Sequence, residues 1–155
     1  MQKQVYKGFR LHLRTSRDGV IGAYSLAPAN VHDRDVVWDL EPQPGTVGIG
    51  DRNYRSPLLM EELAEQGGVS RLAPPRSRKK DPDPARSRRL GRVRWKVESV
   101  NGQLADRYRA KRVWARDLWH LMHRVVGKIL SHAVAVWLNV SAGRQPLRFH
   151  DLLVA

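Results

Sequence analysis

Thr46-Val47-Gly48-Ile49-Gly50-Asp51 is a short apolar run that ends in a carboxylate, preceded by Pro44-Gly45. It reads as a short buried strand with Asp51 at its end, a good place for a metal ligand. Ser56-Pro57 follows, a serine cap with proline in the first helical turn, where the missing N–H costs nothing. Leu59, Leu63 and Ala64 give that helix one apolar side, and Gly67-Gly68 ends it. Val69 to Ala73 returns as a further short strand.

Working outward, Phe9, Leu11 and Leu13 alternate with Arg10, His12 and Arg14, the period of a half-buried strand. Ser16-Arg17-Asp18-Gly19 is the turn, with Asp-Gly supplying positive φ. Residues about 5–27 therefore predict a hairpin. A short helix follows, with Asp33 as cap and Val36, Val37 and Leu40 on one side, stopped by Pro42 and Pro44-Gly45. On the C-terminal side, residues 74–87 read as an exposed basic loop. A helix is expected over about 88–109, with Val93, Val97, Val100 and Leu104 on one side. A last helix over about 115–138 carries a wide apolar stripe through Leu118, Leu121, Met122, Val125, Val126, Ile129, Leu130, Ala133, Val136 and Trp137, and reads as a core helix. From 141 onward there is no clear pattern. The order β-β-α-β-α-β-α-α predicts an α/β fold, a mixed sheet covered by helices with a C-terminal helical pair.

The chain has 155 residues, 41% of them hydrophobic, enough for one domain with a real core. Its formal charge is +13, and the charge is localised. Residues 71–116 hold 16 lysines and arginines against Asp81, Asp83, Glu98 and Asp106, a net +12. A strip of that density attracts polyanions, nucleic acid being the usual partner; the bland alternative is a solvated charge run. There are no cysteines, which excludes disulfides, thiolate zinc sites and cysteine nucleophiles. No apolar leader is visible at the N-terminus, and Lys128, His132 and Asn139 interrupt the longest apolar-rich stretch, so no membrane span is expected. The lack of cysteine fits a reducing cytosol.

Glu98 stands in Arg94-Trp95-Lys96-Val97-Glu98, inside the basic strip. Two carboxylates from separate elements suffice for Mg²⁺, which keeps waters and shares substrate phosphates. Arg94 lies one helical turn before Glu98 and has the geometry to grip a phosphate in bidentate fashion. The plainer reading is an Arg94–Glu98 surface ion pair, worth ~0.3–0.5 kcal/mol. His120, His123 and His132 read as helix-face residues rather than a metal site. Trp95 reads as packing against the sheet rather than stacking on a base. No G-x-x-x-x-G-K-[S/T] pattern is present, so Gly48 and Gly50 do not form a phosphate loop.

Several stretches together resemble a DDE-type transposase of bacterial insertion sequences, a family with an RNase H-like catalytic domain. They are Tyr6-Lys7-Gly8-Phe9-Arg10-Leu11-His12-Leu13, Leu26-Ala27-Pro28-Ala29-Asn30-Val31-His32-Asp33, Gly50-Asp51-Arg52-Asn53-Tyr54, Pro74-Pro75-Arg76, Arg94-Trp95-Lys96-Val97-Glu98 with Gln103-Leu104, and the basic turn Arg112-Val113-Trp114-Ala115-Arg116. The resemblance implies nicking and strand transfer at transposon ends, with Asp51 and Glu98 as catalytic ligands of Mg²⁺ (or Mn²⁺). It implies Arg94 as a phosphate contact, and the basic loop and Glu98 helix lying along double-stranded DNA. Arg76, Arg78, Lys79, Lys80, Arg88, Arg89 and Lys96 are the further nucleic-acid-binding candidates. The family's third carboxylate belongs on a strand before Tyr6, where this chain has only five residues, none acidic. Positions that hold tyrosine and lysine in some related transposases are Gly91 and Ala105 here. The chain is therefore expected to be an N-terminally truncated, poorly active or inactive catalytic domain over residues 1–140, its first strand missing, with a tail at 141–155. A homodimer is expected only of a full-length parent. The rival expectations are a non-catalytic basic DNA-binding module and a decayed remnant that never folds stably.

Overall fold

The computed structural model describes residues 8–40, 43–50, 56–72 and 83–152. The chain forms two compact units, one made of Met1–Leu13 and Ala23–Arg94, the other of Arg14–Gly22 and Trp95–Ala155.

β1 (Phe9–Thr15) and β2 (Ile21–Pro28) form the expected hairpin, whose tip, Arg14–Gly22, belongs to the second unit. Its alternation does not fall as the sequence pattern predicts. Phe9 is exposed, Leu11 and Leu13 are half-buried, and the buried side chain of β1 is His12. Burial lowers the His12 pKa, while Asp33 and Asp39 oppose that shift. The expected helix at 33–40 is instead two 3₁₀ turns, Asp33–Val36 and Trp38–Leu40. Asp33 does not cap it. His32 holds the cap position, and the Asp33 carboxylate accepts from Arg10 at 3.0 Å on the neighbouring strand.

β3 (Val47–Ile49) and β4 (Ser70–Leu72) pair in parallel, with Val47, Gly48 and Ile49 opposite Ser70, Arg71 and Leu72. Between them runs α1 (Pro57–Glu65). Ser56 caps it as its sequence predicts, accepting from the Leu59 N–H at 3.4 Å, with Pro57 first in the helix. At the far end Gly68 takes φ +58°, a conformation other residues rarely adopt. Leu59 and Leu63 pack with Val37 and Val69 into one apolar cluster, which fixes β3 and β4 against the helix. Leu63 is fully buried.

α2 (Pro84–Asp106) starts earlier than the apolar periodicity predicts, because Asp83 accepts from the Arg86 N–H at 2.8 Å and Pro84 fits the first helical position. Its C-terminal half belongs to the second unit, with Val100 and Leu104 buried. α3 (Leu118–Ser141) is capped by Asp117, which accepts from the His120 N–H at 2.9 Å.

The stripe that α3 buries is narrower than its sequence predicts. It runs through Val125, Ile129, His132, Ala135, Val136 and Asn139, while Leu118, Met122, Leu130 and Trp137 are exposed. A helix turns only about a third of its circumference toward a core. The two polar residues in the stripe, His132 and Asn139, each find a hydrogen-bond partner there. Gln103 donates through Nε2 to the Leu147 carbonyl at 2.7 Å, and its Oε1 faces His132 Nε2 at 3.0 Å. A carbonyl only accepts, so the amide must turn its NH₂ to Leu147 and its oxygen to the imidazole. The proton of the neutral imidazole is therefore on Nε2. Asn139 donates to the Pro146 carbonyl at 3.2 Å and accepts from Arg144 at 3.1 Å. These bonds hold the segment after α3, which shows no pattern in sequence. That segment ends in a 3₁₀ turn, Phe149–Leu152, with Phe149 packed on Ala135 and Val136. Gly19, at φ +85°, sits against Leu147, 2.7 Å from where a Cβ would lie.

Protonating His132 would place a charge on Nδ1, which has no hydrogen-bond partner among the described residues. Desolvation by burial holds its pKa down at about 4. The unfolded chain takes up this proton near pH 6.5 and the folded chain does not. Stability from this residue is thus complete above about pH 6.5 and is lost as pH falls toward 4, on the order of 2–3 kcal/mol in all. Urea unfolding at pH 7 and pH 5 should show this loss, and His132→Leu should remove the larger part of it. An unchanged pH dependence in that variant would contradict the assignment. Gly19→Ala, which meets both an unfavourable φ and Leu147, should cost about 1–2 kcal/mol in the same measurement.

Candidate nucleic-acid interface

Among the described residues, α2 carries six of the twelve lysines and arginines of the basic strip that the sequence assigns to a polyanion. Arg86, Arg88, Arg89, Arg92, Arg94 and Lys96 lie within eleven residues, with no acid among them. The first helical turn has no acidic residue, so the partial positive charge of the helix start meets more positive charge. Arginines three and four positions apart repel along the surface, each pair by a few tenths of a kcal/mol. The helix forms because Leu90, Val100 and Leu104 are buried and Asp83 caps it, not because its charges favour it.

Arg88 and Arg89 are exposed, as is Glu98. Arg94 and Lys96 are half-buried, and Lys96 holds its ammonium 5.6 Å from the Trp95 ring centre. Glu98 stands one turn beyond Arg94 on the same helix, as the spacing predicts. Asp51 lies outside the described residues, two positions past the end of β3, and so do Arg76, Arg78, Lys79 and Lys80. Among the described residues, no three of His, Cys, Asp or Glu come together as a metal-binding group. Glu98 is a hard oxygen donor open to solvent, a donor of the kind Mg²⁺ or Mn²⁺ takes.

The histidines of α3 have partners of their own. His120 Nδ1 meets the Asp117 carboxylate at 2.9 Å, and the His120 backbone N–H is the first of the contacts that lower the Asp117 pKa. His123 Nδ1 lies 3.0 Å from the Trp119 carbonyl, with its ring against the indole. The sequence reading overlooked Asp117 as the acid beside His120. It also placed Trp95 against the sheet and Trp137 in the core stripe. Trp95, Trp114, Trp119 and Trp137 are all exposed, Trp114 at 82%. Exposed indoles beside arginines are a signal that apolar periodicity cannot give, because that method scores tryptophan only as core. No helix among the described residues is long and apolar enough to cross a membrane.

Comparison with known proteins gives a consistent result. The family described as "Transposase DDE domain" matches residues 2–134. The transposase for insertion sequence element IS1106 of Neisseria meningitidis serogroup B is 30% identical over 142 residues, covering 88% of this chain. The chain spans about half of that relative, 47% of its length. No solved structure matches the chain.

Because the charges of α2 repel one another, raising the salt concentration from about 50 to 500 mM shortens the Debye length to a few ångströms and relieves that repulsion. The thermal unfolding midpoint should rise with salt, and Arg89→Glu together with Arg92→Glu should flatten the rise. A midpoint independent of salt in both proteins would mean that the repulsion is already compensated within the chain.

Proposed function

Because the chain belongs to the transposase DDE domain family, we propose that it is part of an RNase H-like catalytic domain for DNA transposition by metal-dependent phosphoryl transfer at transposon ends. The observation that carries this reading is the match over residues 2–134, which contains both candidate carboxylates. Asp51 and Glu98 are the residues that would hold Mg²⁺ or Mn²⁺. Such a cation activates a water or hydroxyl and stabilises the departing oxygen. Arg94 positions the phosphate one turn from Glu98, and Lys96, Arg88 and Arg89 follow the backbone of duplex DNA. Residues 76–80 add Arg76, Arg78, Lys79 and Lys80 to the same interface. Residues 1–140 form this domain, and Asp51 and Glu98 supply two of the three carboxylates that the family resemblance implies. On its own the chain binds DNA without sequence preference and cuts it poorly or not at all. A homodimer is a property of the longer parent protein.

Among the described residues, the strands form two sheets of two strands each, within the mixed α/β architecture that this reading requires. The exposed Arg86, Arg88 and Arg89 in the first turns of α2 support the polyanion partner.

Calorimetric Mn²⁺ titration tests the ligand assignment without relying on turnover. Asp51→Asn and Glu98→Gln should each weaken Mn²⁺ binding tenfold or more. A plasmid nicking assay in Mg²⁺ or Mn²⁺ should show little cleavage by the unaltered chain. Rapid nicking lost in Asp51→Asn would retain the metal site and contradict the incompleteness of the domain. Unaltered Mn²⁺ affinity in both variants would contradict the enzymatic reading. It would favour a basic binding module, whose affinity depends on the Arg and Lys residues of 76–96 alone.

A further inference from the structure

Beyond α2 the chain builds a second basic place, entirely within the second unit. α2 ends in a turn with Arg109 at φ 52°, closed by a bond from the Ala110 N–H to the Leu104 carbonyl at 2.8 Å. A non-glycine residue in that conformation costs roughly 1 kcal/mol. The turn brings residues 108–114 alongside α3, and a cavity of about 410 Å³ opens between them. On the α3 side, Gly127 and Lys128 are adjacent and lie three and four positions after Arg124, with Ser131 three beyond Lys128, so the four share one face. The two small residues keep that wall low, and nothing lies within 4 Å of where a Gly127 Cβ would be. Arg124 donates to the Trp114 carbonyl and Lys128 to the Tyr108 carbonyl, which pins both cations and the turn.

The chemistry of this cavity is asymmetric. Among the described residues, three cations, Arg112, Arg124 and Lys128, line it, and no carboxylate does. Their neutral carbonyl partners leave the positive charge of Arg124 and Lys128 uncompensated, with further N–H donors to spare. The Arg112 side chain is exposed and makes no hydrogen bond or ion pair among the described residues. Aromatic rings complete the walls: Tyr108, half-buried, and Trp114, nearly fully exposed at the mouth. An indole left in water beside uncompensated cations fits a ligand that is flat and apolar at one end and anionic at the other. The volume falls at the low end of the ~300–1,000 Å³ of ligand pockets, too small for a duplex to enter.

We propose that this cavity receives one unpaired nucleotide of a DNA strand, its base stacked on Trp114 and its phosphate held by Arg112, Arg124 and Lys128. The inference rests on the DNA-binding reading above and adds a site for a base outside the double helix. The +12 carried by residues 71–116 favours a strand of nucleic acid over a free nucleotide, because a polymer brings many phosphates and a mononucleotide only one. Stacking on an exposed aromatic ring is sequence-tolerant, since every base offers a face.

The test uses the purified chain and 2-aminopurine, a fluorescent base quenched by stacking, in three DNAs at one salt concentration: a perfect duplex, the same duplex with the reporter as a single-base bulge, and a single strand. The bulged and single-stranded DNAs should bind about tenfold or more tighter than the perfect duplex, with the bulged reporter dimmed at least twofold at saturation. Trp114→Ala should remove both effects and leave perfect-duplex affinity within about twofold, and Arg112→Ala should lower affinity for the unpaired sites. Both side chains are exposed, so neither change threatens folding. Equal affinity for all three DNAs, or a preference that survives Trp114→Ala, would overturn the proposal while leaving duplex binding intact. Absence of any duplex binding at low salt would instead remove the DNA-binding reading on which it stands. Competition by free deoxyadenosine monophosphate at lower concentration than the single strand, counted per nucleotide, would assign the cavity to mononucleotides and overturn the choice of DNA.

Discussion

Repulsion among the cations of α2 is the constraint that organises the functional half of this chain. A helix with Arg86, Arg88, Arg89, Arg92, Arg94 and Lys96 on consecutive turns works against both its neighbours and its own dipole. A partner rich in phosphate removes that penalty and gains from it, since each neutralised phosphate releases condensed counterions. Glu98 follows directly after this run, so the one carboxylate in the middle of the helix faces a strongly positive environment. A carboxylate there attracts a cation only weakly by itself. With DNA phosphates alongside, the balance of charge changes in favour of a divalent ion.

The C-terminal half of α2 is held in a different way. Val100 and Leu104 are buried, and Gln103 joins the imidazole of His132 to the Leu147 carbonyl. This bridge is neutral and fully directional, so it fixes the rotation of the helix without adding charge. It also ties the helix to the segment after α3, which Asn139 and Phe149 anchor in turn. The same turn that follows α2 places Tyr108, Arg112 and Trp114 beside α3. The second unit therefore carries both Glu98 and the aromatic, cationic cavity.

The sequence makes much of this legible where the chemistry is local. Ser56-Pro57, Asp18-Gly19 and Gly67-Gly68 each act through their own backbone, and the structure has a cap, a turn and a helix end there. The family was legible too, from short motifs in the right order, and the match over residues 2–134 agrees. What periodicity missed depends on partners far along the chain. His132 and Asn139 enter a buried stripe only because Gln103 and the Pro146 carbonyl await them. Asp33 gives up its capping role to Arg10, 23 residues away. Leu130 and Trp137 satisfy a helical apolar pattern and still face solvent, because a pattern counts apolar residues without knowing how much surface is there to cover them. The candidate site was legible only as residue types: Glu98 stands where expected, and the spacing of two acids in sequence says nothing of their approach in space.

The central claim is that Asp51 and Glu98 serve one divalent ion beside a phosphate backbone. Amide resonances of the isotopically labelled chain, bound to a short DNA duplex and titrated with Mn²⁺, test it most directly, because the ion broadens signals only within a limited radius. The account predicts that broadening begins together around Gly50-Asp51 and around Glu98. Broadening that starts instead at Glu61, Glu62 and Glu65 on α1, with the signals near Asp51 and Glu98 untouched, would contradict it.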